Sequence, residues 1–559
     1  MGNKCTLLLA CMLMAVTCCV AQPAKPFTHA DSVRGSITAE RAWWDVLRYD
    51  ITINPDFTAK STVGKNVIRY RVLTTNHAAM QLDLKDTLHI DRIVLDNQQQ
   101  LSFMQEGSVW HVKVPQQKKS SVHELTISFS GKPRVAPRAP WDGGWTFTKD
   151  SLGRPWMTVT CQGLGSSVWY PCKDHQSDEP DEGASLTMIV PDTLVAVANG
   201  RLQRKEKQAD GKMLYQWAVV NPINNYNIIP YIGKYVNFTE SYNGIDGKLD
   251  LNYWVLDYNL EKAQTYMPAE VHKMLQAFEH WFGPYPFYKD GFKLIDVSHT
   301  GMEHQSAVAY GNLYKPGYRM RDGSGTGLGM KWDFIIVHES GHEWFGNNIS
   351  TKDLADMWVH EGFTNYSETI YVDYHFGKDA GDAYNAGIRR GIRNDRTIIP
   401  AYGVNAQGSG DMYPKASNML HAIRHSLDND ELFRKILLGL NKEFYHQTVT
   451  SAQIENYISK KAGFDYSKVF DQYLRSTQIP TLEFRLKADQ SQVSYRWTTC
   501  NRGFNMPLVL KSGDTKLRLV PGEEWKTLAL KPAEASLLEK GAIEKMYYIK
   551  AVPVDNREL

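Results

Sequence analysis

The sequence has 559 residues, which exceeds the size at which a single hydrophobic core keeps growing, so two to four domains are expected. Lysine and arginine number 63 and aspartate and glutamate 61, giving a formal net charge of +2. This balance excludes a broad basic surface for nucleic acid and an acidic tail, and we expect no nucleic-acid partner.

The first residues have the pattern of an export signal. Lys4 is followed by an apolar run from Leu7 to Val16 and then by small residues, which predicts a signal peptide over residues 1–21 and a mature start at Gln22. Cys18 and Cys19 leave lipid attachment as an alternative, but the residues before them match a lipoprotein cleavage site poorly. No later window has the roughly 20 apolar residues of a membrane helix. We therefore expect a secreted or periplasmic protein without stable membrane insertion.

Four of the seven cysteines lie in this leader, and the others are Cys161, Cys172 and Cys500. An odd number without metal-binding spacing predicts no disulfide scaffold. Cys161 and Cys172 form either one disulfide in an oxidising compartment or two small buried thiols.

Short alternating strands separated by turn residues predict an all-β domain over residues 22–240. Lys65–Val72 and Leu125–Phe129 are typical of these strands. The pair Asn199-Gly200 lies between apolar runs and predicts a hairpin.

A mixed domain is predicted over residues 241–478. Apolar residues recur at helical spacing from Lys262 to Phe282, and Gly283-Pro284 ends that helix. Further helices are predicted over Ser417–Leu427 and Glu431–Phe444, and Thr450 with Gln453 has the spacing of a capping pair.

Strands return after Pro480 and predict a small β-domain over residues 479–559. Gln492–Trp497 and Thr515–Val520 are examples.

The segment Trp332–Phe345 predicts a buried helix that carries a metal-binding pair. His338 and His342 are four residues apart and so lie about 5–6 Å apart on one helix face, from which both imidazoles can reach one ion. Glu339 lies at the edge of that face, where a general base could reach a metal-bound water. Two hydrogen-bonded core histidines would give the same local pattern.

A second segment supplies a third ligand. Eighteen residues separate His342 from Glu361, which enters a new helix, and two histidines with one glutamate form an established catalytic zinc set. Glu368 follows two helical turns later on the same face. It either accepts the free N–H of a ligand histidine or lies on an exposed surface.

His338-Glu-x-x-His342 and Glu361 together resemble the zinc signature of the gluzincin aminopeptidases, the family of aminopeptidase N and the leukotriene-A hydrolases. Trp344–Asn347 and Glu361–Phe363 agree with the same family pattern. The resemblance implies one Zn²⁺ per chain, with His338, His342 and Glu361 as ligands. It also implies a multi-domain α+β protein with an N-terminal β saddle-like domain, a thermolysin-like α/β catalytic domain and a C-terminal β-sandwich.

The segment Thr300–Gln305 resembles the family's exopeptidase motif, Gly-x-Met-Glu-Asn. The resemblance places Gly301, Met302 and Glu303 in the substrate site, with Glu303 pairing with the substrate's ammonium group. Thr300 and His304 depart from the motif. In the N-terminal domain, Gln162 matches the position of a second amine contact.

The family also uses a tyrosine in a Tyr-x-Lys-Gly segment to stabilise the oxyanion. Tyr413 occupies that place here, with Ala416 in place of the glycine. His360 replaces the asparagine that usually precedes the third ligand, and we assign it no role.

These residues predict a zinc aminopeptidase that cleaves the amino-terminal bond of peptides, with Glu339 as general base and Tyr413 as oxyanion donor. A thermolysin-type endopeptidase shares the ligands but has no need of Glu303 and Gln162. An epoxide hydrolase is conceivable by family analogy, and a secreted binding protein with a relict site is the non-enzymatic alternative.

Overall fold

The computed structural model describes residues 26–85 and 87–554, and the predicted signal peptide lies outside them. Three regions follow one another along the chain: a β-rich N-terminal domain, an α/β catalytic domain and a β-rich C-terminal region. The predicted multi-domain α+β class is confirmed.

The N-terminal domain is built on an eight-stranded sheet in the order β13-β14-β11-β1-β2-β8-β4-β5, beside a four-stranded sheet in the order β12-β15-β10-β9. Along β2, from Asn66 to Val72, buried side chains alternate with partly buried ones, as expected for a strand with one face on the core. The elements are α1 His29–Gly35, α2 Ala39–Ala42, β1 Trp44–Asp56, β2 Ser61–Val72, β3 Met80–Asp83, β4 Leu88–Leu95, β5 Gln99–Gln100, β6 Phe103–Glu106, β7 Val109–Val112, β8 Val122–Gly131, β9 Gly144–Lys149, β10 Pro155–Thr160, β11 Ala184–Pro191, β12 Val195–Val197, β13 Arg201–Lys207, β14 Lys212–Val219 and β15 Tyr231–Gly233.

The hairpin predicted at Asn199-Gly200 is wrong. Strands β12 and β13 belong to different sheets, because β12 pairs with β15 and β13 pairs with β14. The Asn199 side chain is buried; it donates to the Gln305 carbonyl at 2.6 Å and accepts from the Ile229 amide at 2.9 Å. Tertiary hydrogen bonds therefore use the polar groups that a hairpin turn would leave in solvent.

The catalytic domain combines a five-stranded mixed sheet, ordered β16-β17-β18-β20-β19, with a helical layer. The boundary predicted at residue 240 falls inside β16, which pairs along its whole length with β17. The elements are β16 Tyr235–Gly244, β17 Gly247–Leu256, α3 Leu260–Phe282, β18 Phe292–Asp296, β19 Gly301–Met302, β20 Val308–Tyr310, α4 Phe334–Gly341, β21 Ile349–Thr351, α5 Trp358–Phe376, α6 Lys378–Ile388, α7 Pro414–Leu427, α8 Asp430–Glu443, β22 Gln447–Val449, α9 Ser451–Ala462 and α10 Ser467–Leu474.

Local sequence signals account for several of these helices. The apolar face predicted for α3 is buried, and the helix ends at Gly283, whose φ is +95°. At the start of α9, Thr450 and Gln453 form the predicted reciprocal capping box.

The C-terminal region contains a four-stranded sheet, ordered β27-β24-β23-β28, and a two-stranded hairpin, β25-β26. Its side chains continue the core of the catalytic domain, so the two regions pack as one unit. The elements are β23 Thr481–Leu486, β24 Gln492–Thr498, β25 Leu508–Ser512, β26 Thr515–Leu519, β27 Lys526–Ala529, α11 Lys540–Met546 and β28 Lys550–Pro553.

Cys161 and Cys172 are both buried free thiols, which resolves the alternative left open by the sequence. Burial raises the pKa of both thiols above the ordinary value. None of the helices within residues 26–85 and 87–554 combines the length and apolar character that a membrane crossing requires.

Candidate metal centre

Helix α4 carries both histidines of the predicted ligand set. Asp333 caps its first turn by accepting from the Ile336 amide at 3.0 Å. The helix ends at Gly341, earlier than the predicted Phe345, because the next amides bond to carbonyls three residues back: Glu343 to Ser340 at 3.1 Å and Trp344 to Gly341 at 3.2 Å. His342 keeps helical dihedrals as the C-cap residue, and its ring centroid lies 5.2 Å from that of His338.

Gly341 allows helix α5 to approach helix α4. A Cβ atom at this position would lie 2.5 Å from Ser367 Oγ and 3.2 Å from Thr364 Cγ2, both on α5. The close packing brings Glu361 to the histidine pair, with 3.3 Å between Glu361 Oε2 and His342 Nε2. The absence of a side chain at residue 341 thus sets the distance between the second and third candidate ligands.

The candidate ligand atoms of His338, His342 and Glu361 all lie within 4.8 Å of one another, and all three residues are buried. Within the described residues, Glu361 Oε2 makes no hydrogen bond of good geometry, and His342 Nε2 is its ion-pair neighbour at 3.3 Å. Burial opposes ionisation of Glu361, but the adjacent His342 outweighs it and holds the pKa of Glu361 below its ordinary value. A buried carboxylate whose oxygen faces two imidazoles without a well-formed hydrogen bond is an arrangement that a bound cation completes.

Contacts on the far side of each imidazole fix its orientation. His338 Nδ1 lies 2.7 Å from Glu368 Oε1, and the Tyr384 hydroxyl donates to Glu368 Oε2 at 2.7 Å. His342 Nδ1 lies 3.1 Å from the Phe345 carbonyl. Glu368 is therefore a buried partner of a ligand histidine, one of its two predicted positions, and Nδ1 is engaged on both rings while Nε2 remains for an ion.

Glu339 lies beside the ligand cluster. A ligand oxygen of Glu339, one of Glu303 and a nitrogen of His342 are within 4.8 Å of one another. Burial raises the pKa of Glu339 to about 7, with the nearby Glu303 carboxylate adding to the effect and His338 opposing it. Strand β19 passes so close that a Cβ on Gly301 would lie 2.7 Å from Glu339 Oε1.

The predicted amine-binding residues are in direct contact. Gln162 Nε2 donates to Glu303 Oε1 at 2.6 Å and lies 3.2 Å from Glu361 Oε1. The Tyr226 hydroxyl donates to the same Glu303 oxygen at 3.0 Å. Burial raises the pKa of Glu303 above its ordinary value, and the neighbouring His342 opposes the shift.

Tyr413 lies at the N-terminus of α7, where Pro414 takes the first helical position. Its ring stacks on that of His338 with centroids 6.1 Å apart. Burial and the nearby carboxylates raise the pKa of Tyr413 well above its ordinary value, so the hydroxyl keeps its proton. It is a hydrogen-bond donor beside the ligand cluster.

All nine predicted site residues line one cavity of about 410 Å³. They are Gln162, Gly301, Met302, Glu303, His338, Glu339, His342, Glu361 and Tyr413. The cavity wall also contains side chains from outside the predicted set, namely Pro140, Trp141, Thr300, Tyr318, Phe334, Ile335, Asn365, Gln407 and Met412.

The departures from the family motifs occupy different positions. Thr300 lines the cavity. His304 is fully buried outside the cavity wall, with Nδ1 2.5 Å from the Tyr231 hydroxyl. His360 is also buried, and its Nε2 accepts from the Thr351 amide at 2.9 Å. His304 and His360 therefore form hydrogen bonds within the protein, and neither lines the cavity of the candidate metal centre.

The sequence matches the Peptidase family M1 domain over residues 266–473 and the Peptidase M1 N-terminal domain over residues 46–226. The two matched regions together span more than half of the chain. The chain belongs to peptidase family M1. The predicted resemblance to the aminopeptidase N-like gluzincins is confirmed.

M1 relatives are distant in sequence. Tricorn protease-interacting factor F2 of Thermoplasma volcanium is 20% identical over 392 residues, covering 66% of this chain and 47% of that protein. Aminopeptidase N of Canis lupus familiaris is 25% identical over 332 residues, covering 57% of this chain and 32% of that protein. The chain thus spans less than half the length of these relatives.

A solved structure shares the fold. It is an M1 zinc metallopeptidase variant from Deinococcus radiodurans bound to a Tyr-Ser-Ala substrate, with a TM-score of 0.65 and 18% identity. The match covers 78% of this chain and 95% of that one. At this identity the likeness establishes the shared architecture.

The residues present fit the Zn²⁺ that the M1 family implies. Two imidazole nitrogens and one carboxylate match the donor set of a catalytic zinc, which keeps a fourth position open. Three carboxyl groups, those of Glu303, Glu339 and Glu361, lie together at this centre, an arrangement suited to a cation. His338, His342 and Glu361 would hold the ion.

Sequence reasoning missed several contacts of this M1 site, among them those of Thr364 and Tyr226. Thr364 Oγ1 lies 3.1 Å from His342 Nδ1 and is three residues after Glu361, so helical spacing could have indicated it. Tyr226 comes from the N-terminal domain, 77 positions from Glu303, and no local pattern indicates it.

Proposed function

We propose that the protein is a zinc-dependent aminopeptidase that hydrolyses the first peptide bond of substrates with a free amino terminus. The single observation that supports it best is the Glu303–Gln162 contact in the same cavity as the His338, His342 and Glu361 cluster. Relatives named aminopeptidase N support the same activity. A set of zinc ligands and a general base alone would suit any metallopeptidase.

In this proposal the Glu303 carboxylate pairs with the substrate ammonium group. Tyr226 and Gln162 both donate to Glu303 Oε1 and so hold the carboxylate in one orientation. The amide oxygen of Gln162 is a second acceptor for the ammonium group. Because the anchor is fixed beside the metal ligands, only the first peptide bond of a bound chain would lie at the reaction centre.

A Zn²⁺ ion held by His338, His342 and Glu361 would act as a Lewis acid toward the scissile carbonyl and the attacking water. Glu339 takes the proton of the attacking water and passes it to the leaving amine. Burial raises the pKa of this carboxyl above its ordinary value, which favours its taking up the proton of the attacking water. Tyr413, protonated at neutral pH, donates a hydrogen bond to the oxygen on which negative charge develops.

The main rival is an endopeptidase, which has no need of an ammonium anchor. We expect a fluorogenic aminoacyl substrate to be cleaved about 10- to 100-fold faster than its N-acetylated counterpart, since a charged hydrogen bond to Glu303 is lost. The measurement is kcat/KM for both substrates, with and without a chelator. Glu303→Gln should narrow the difference, and equal rates on the two substrates in the unaltered enzyme would favour the endopeptidase.

We further propose that the enzyme acts outside the cytoplasm. The support is the apolar run from Leu7 to Val16 after Lys4. Amino-terminal sequencing of the exported protein should begin at Gln22.

A further inference from the structure

A second cluster of metal-ligating side chains lies apart from the M1 centre. Asp382 is on helix α6, and His421 and His425 are four residues apart on helix α7. The cluster consists of one carboxylate oxygen and two Nε2 atoms. None of the three residues lines the 410 Å³ cavity of the M1 centre.

The three atoms form a nearly equilateral triangle. Asp382 Oδ1 lies 3.2 Å from His421 Nε2 and 3.1 Å from His425 Nε2, and the two Nε2 atoms are 3.1 Å apart. Ligands about 2.0–2.1 Å from a tetrahedral ion are separated by about 3.3 Å, so the triangle has close to the required size. These distances are similar to the 3.3 Å between His342 Nε2 and Glu361 Oε2 in the M1 centre.

The protein holds these side chains in place. The exposed fraction of the side chain is 0% for His421, 9% for His425 and 13% for Asp382. On the far side of the His421 ring, Nδ1 lies 3.3 Å from the Tyr366 hydroxyl on helix α5. Such a partner fixes the ring so that Nε2 is directed into the cluster. Three helices thus converge on the triangle.

A route from solvent reaches the cluster. Asp382 and His425 line a surface cavity of about 450 Å³ whose wall also contains Asp379, Asp428 and Asp430. An ion could enter there, and a solvent molecule or small anion could complete the coordination. The cations of the same wall are paired with its acidic residues: Lys378 and Arg424 with Asp430, and Lys511 with Asp428.

We infer that Asp382, His421 and His425 form a second site for a divalent transition-metal ion, with Zn²⁺ as the expected occupant. Two imidazoles and one carboxylate bind zinc readily. Because the carboxylate is on α6 and both imidazoles are on α7, a bound ion would link the two helices. The cluster lies outside the M1 centre, so its role would be to stabilise the helical layer.

Metal stoichiometry tests this inference. After saturation with Zn²⁺ and removal of loosely bound ions, the unaltered protein should contain two zinc ions per chain, and His425→Gln and His338→Ala should each contain one. His375→Gln removes a histidine of α5 that lies 2.9 Å from the Lys273 carbonyl, and it should retain two. One ion per chain in the unaltered protein, absent in His338→Ala and unchanged in His425→Gln, would overturn the inference.

A crystal of the unaltered protein grown with Zn²⁺ gives a test that needs no variant. Anomalous difference density at the zinc edge should show a peak between Asp382, His421 and His425 in addition to the peak at the M1 centre. A peak at the M1 centre alone would mean that the triangle is a hydrogen-bonded histidine pair, and the inference would be wrong.

Discussion

Gly301 determines how closely the backbone of strand β19 approaches the proposed base, Glu339. A Cβ here would lie 2.7 Å from Glu339 Oε1 and 2.8 Å from Ile335 Cγ2. We expect Gly301→Ala to displace the carboxylate and lower kcat by about 100-fold, because small misplacements of reacting groups are costly. The zinc content should stay unchanged. Steady-state kinetics and metal analysis on the same preparation check both expectations.

Gly323 supplies a matched control in the same cavity wall. A Cβ at Gly323 would meet no atom within 4 Å. Gly323→Ala should therefore keep the kcat of the unaltered enzyme. If the two alanine variants had equal kcat values, the close approach at Gly301 would have no catalytic importance.

Glu339 itself is tested by a substitution that keeps its size. Glu339→Gln removes the group that accepts the proton but none of the proposed ligands, so zinc content should persist while kcat falls about 100- to 10,000-fold. His338→Ala should lose catalytic zinc and activity together. An active Glu339→Gln enzyme would require a different base.

Helices α4 and α5 are joined at the candidate metal centre by the contact of Glu368 with His338, and we propose that this contact orients the imidazole. The 2.7 Å contact joins Glu368 Oε1 to His338 Nδ1. Glu368→Gln keeps an acceptor but removes its charge, and we expect zinc to bind about 10- to 100-fold more weakly. Reactivation of chelator-treated enzyme by added zinc measures this affinity at the catalytic centre. Glu431→Gln, on the exposed surface of α8, should not change it; a normal zinc affinity in Glu368→Gln would remove the proposed orienting role.

Elements whose signals are local could be predicted from the sequence. The capping box at Thr450 and the end of α3 at Gly283 depend on residues within a few positions, and both are present. The early end of α4 could not be predicted. The separation of β12 from β13 could not be predicted either, because it depends on a hydrogen bond from Asn199 to Gln305, 106 positions away. The M1 ligand cluster was predictable because helix geometry pairs His338 with His342, and because the spacing to Glu361 on the next helix resembles a known family.

At the scale of the whole molecule, the candidate site lies between two domains. Gln162 and Tyr226 come from the N-terminal domain, while Glu303 belongs to the catalytic domain. The Asn347 side chain reinforces this junction. Its Nδ2 donates to the Glu303 backbone carbonyl at 2.7 Å, and its Oδ1 accepts from Asn227 Nδ2 at 2.7 Å. The position of Glu303, the proposed anchor, therefore depends on how the domains dock.

A double-mutant cycle across the domain junction tests this dependence. Gln162→Ala and Glu303→Gln should each lower kcat/KM for aminoacyl substrates about 10- to 100-fold, because each weakens a charged hydrogen-bonded contact. Because the two side chains are 2.6 Å apart, the fold-loss in kcat/KM of the double variant should be smaller than the product of the two single fold-losses. The coupling energy should be about 0.5–3 kcal/mol.

Gln407 lines the same cavity and gives the matched cycle. Gln407→Ala combined with Glu303→Gln should show effects that multiply, because the hydrogen bonds to the Glu303 carboxylate within the described residues come from Gln162 and Tyr226 and not from Gln407. Multiplying effects for Gln162 and Glu303 as well would mean that the N-terminal domain encloses the cavity without positioning the anchor. Coupling confined to Gln162 would instead indicate that selectivity for a free amino terminus depends on both domains.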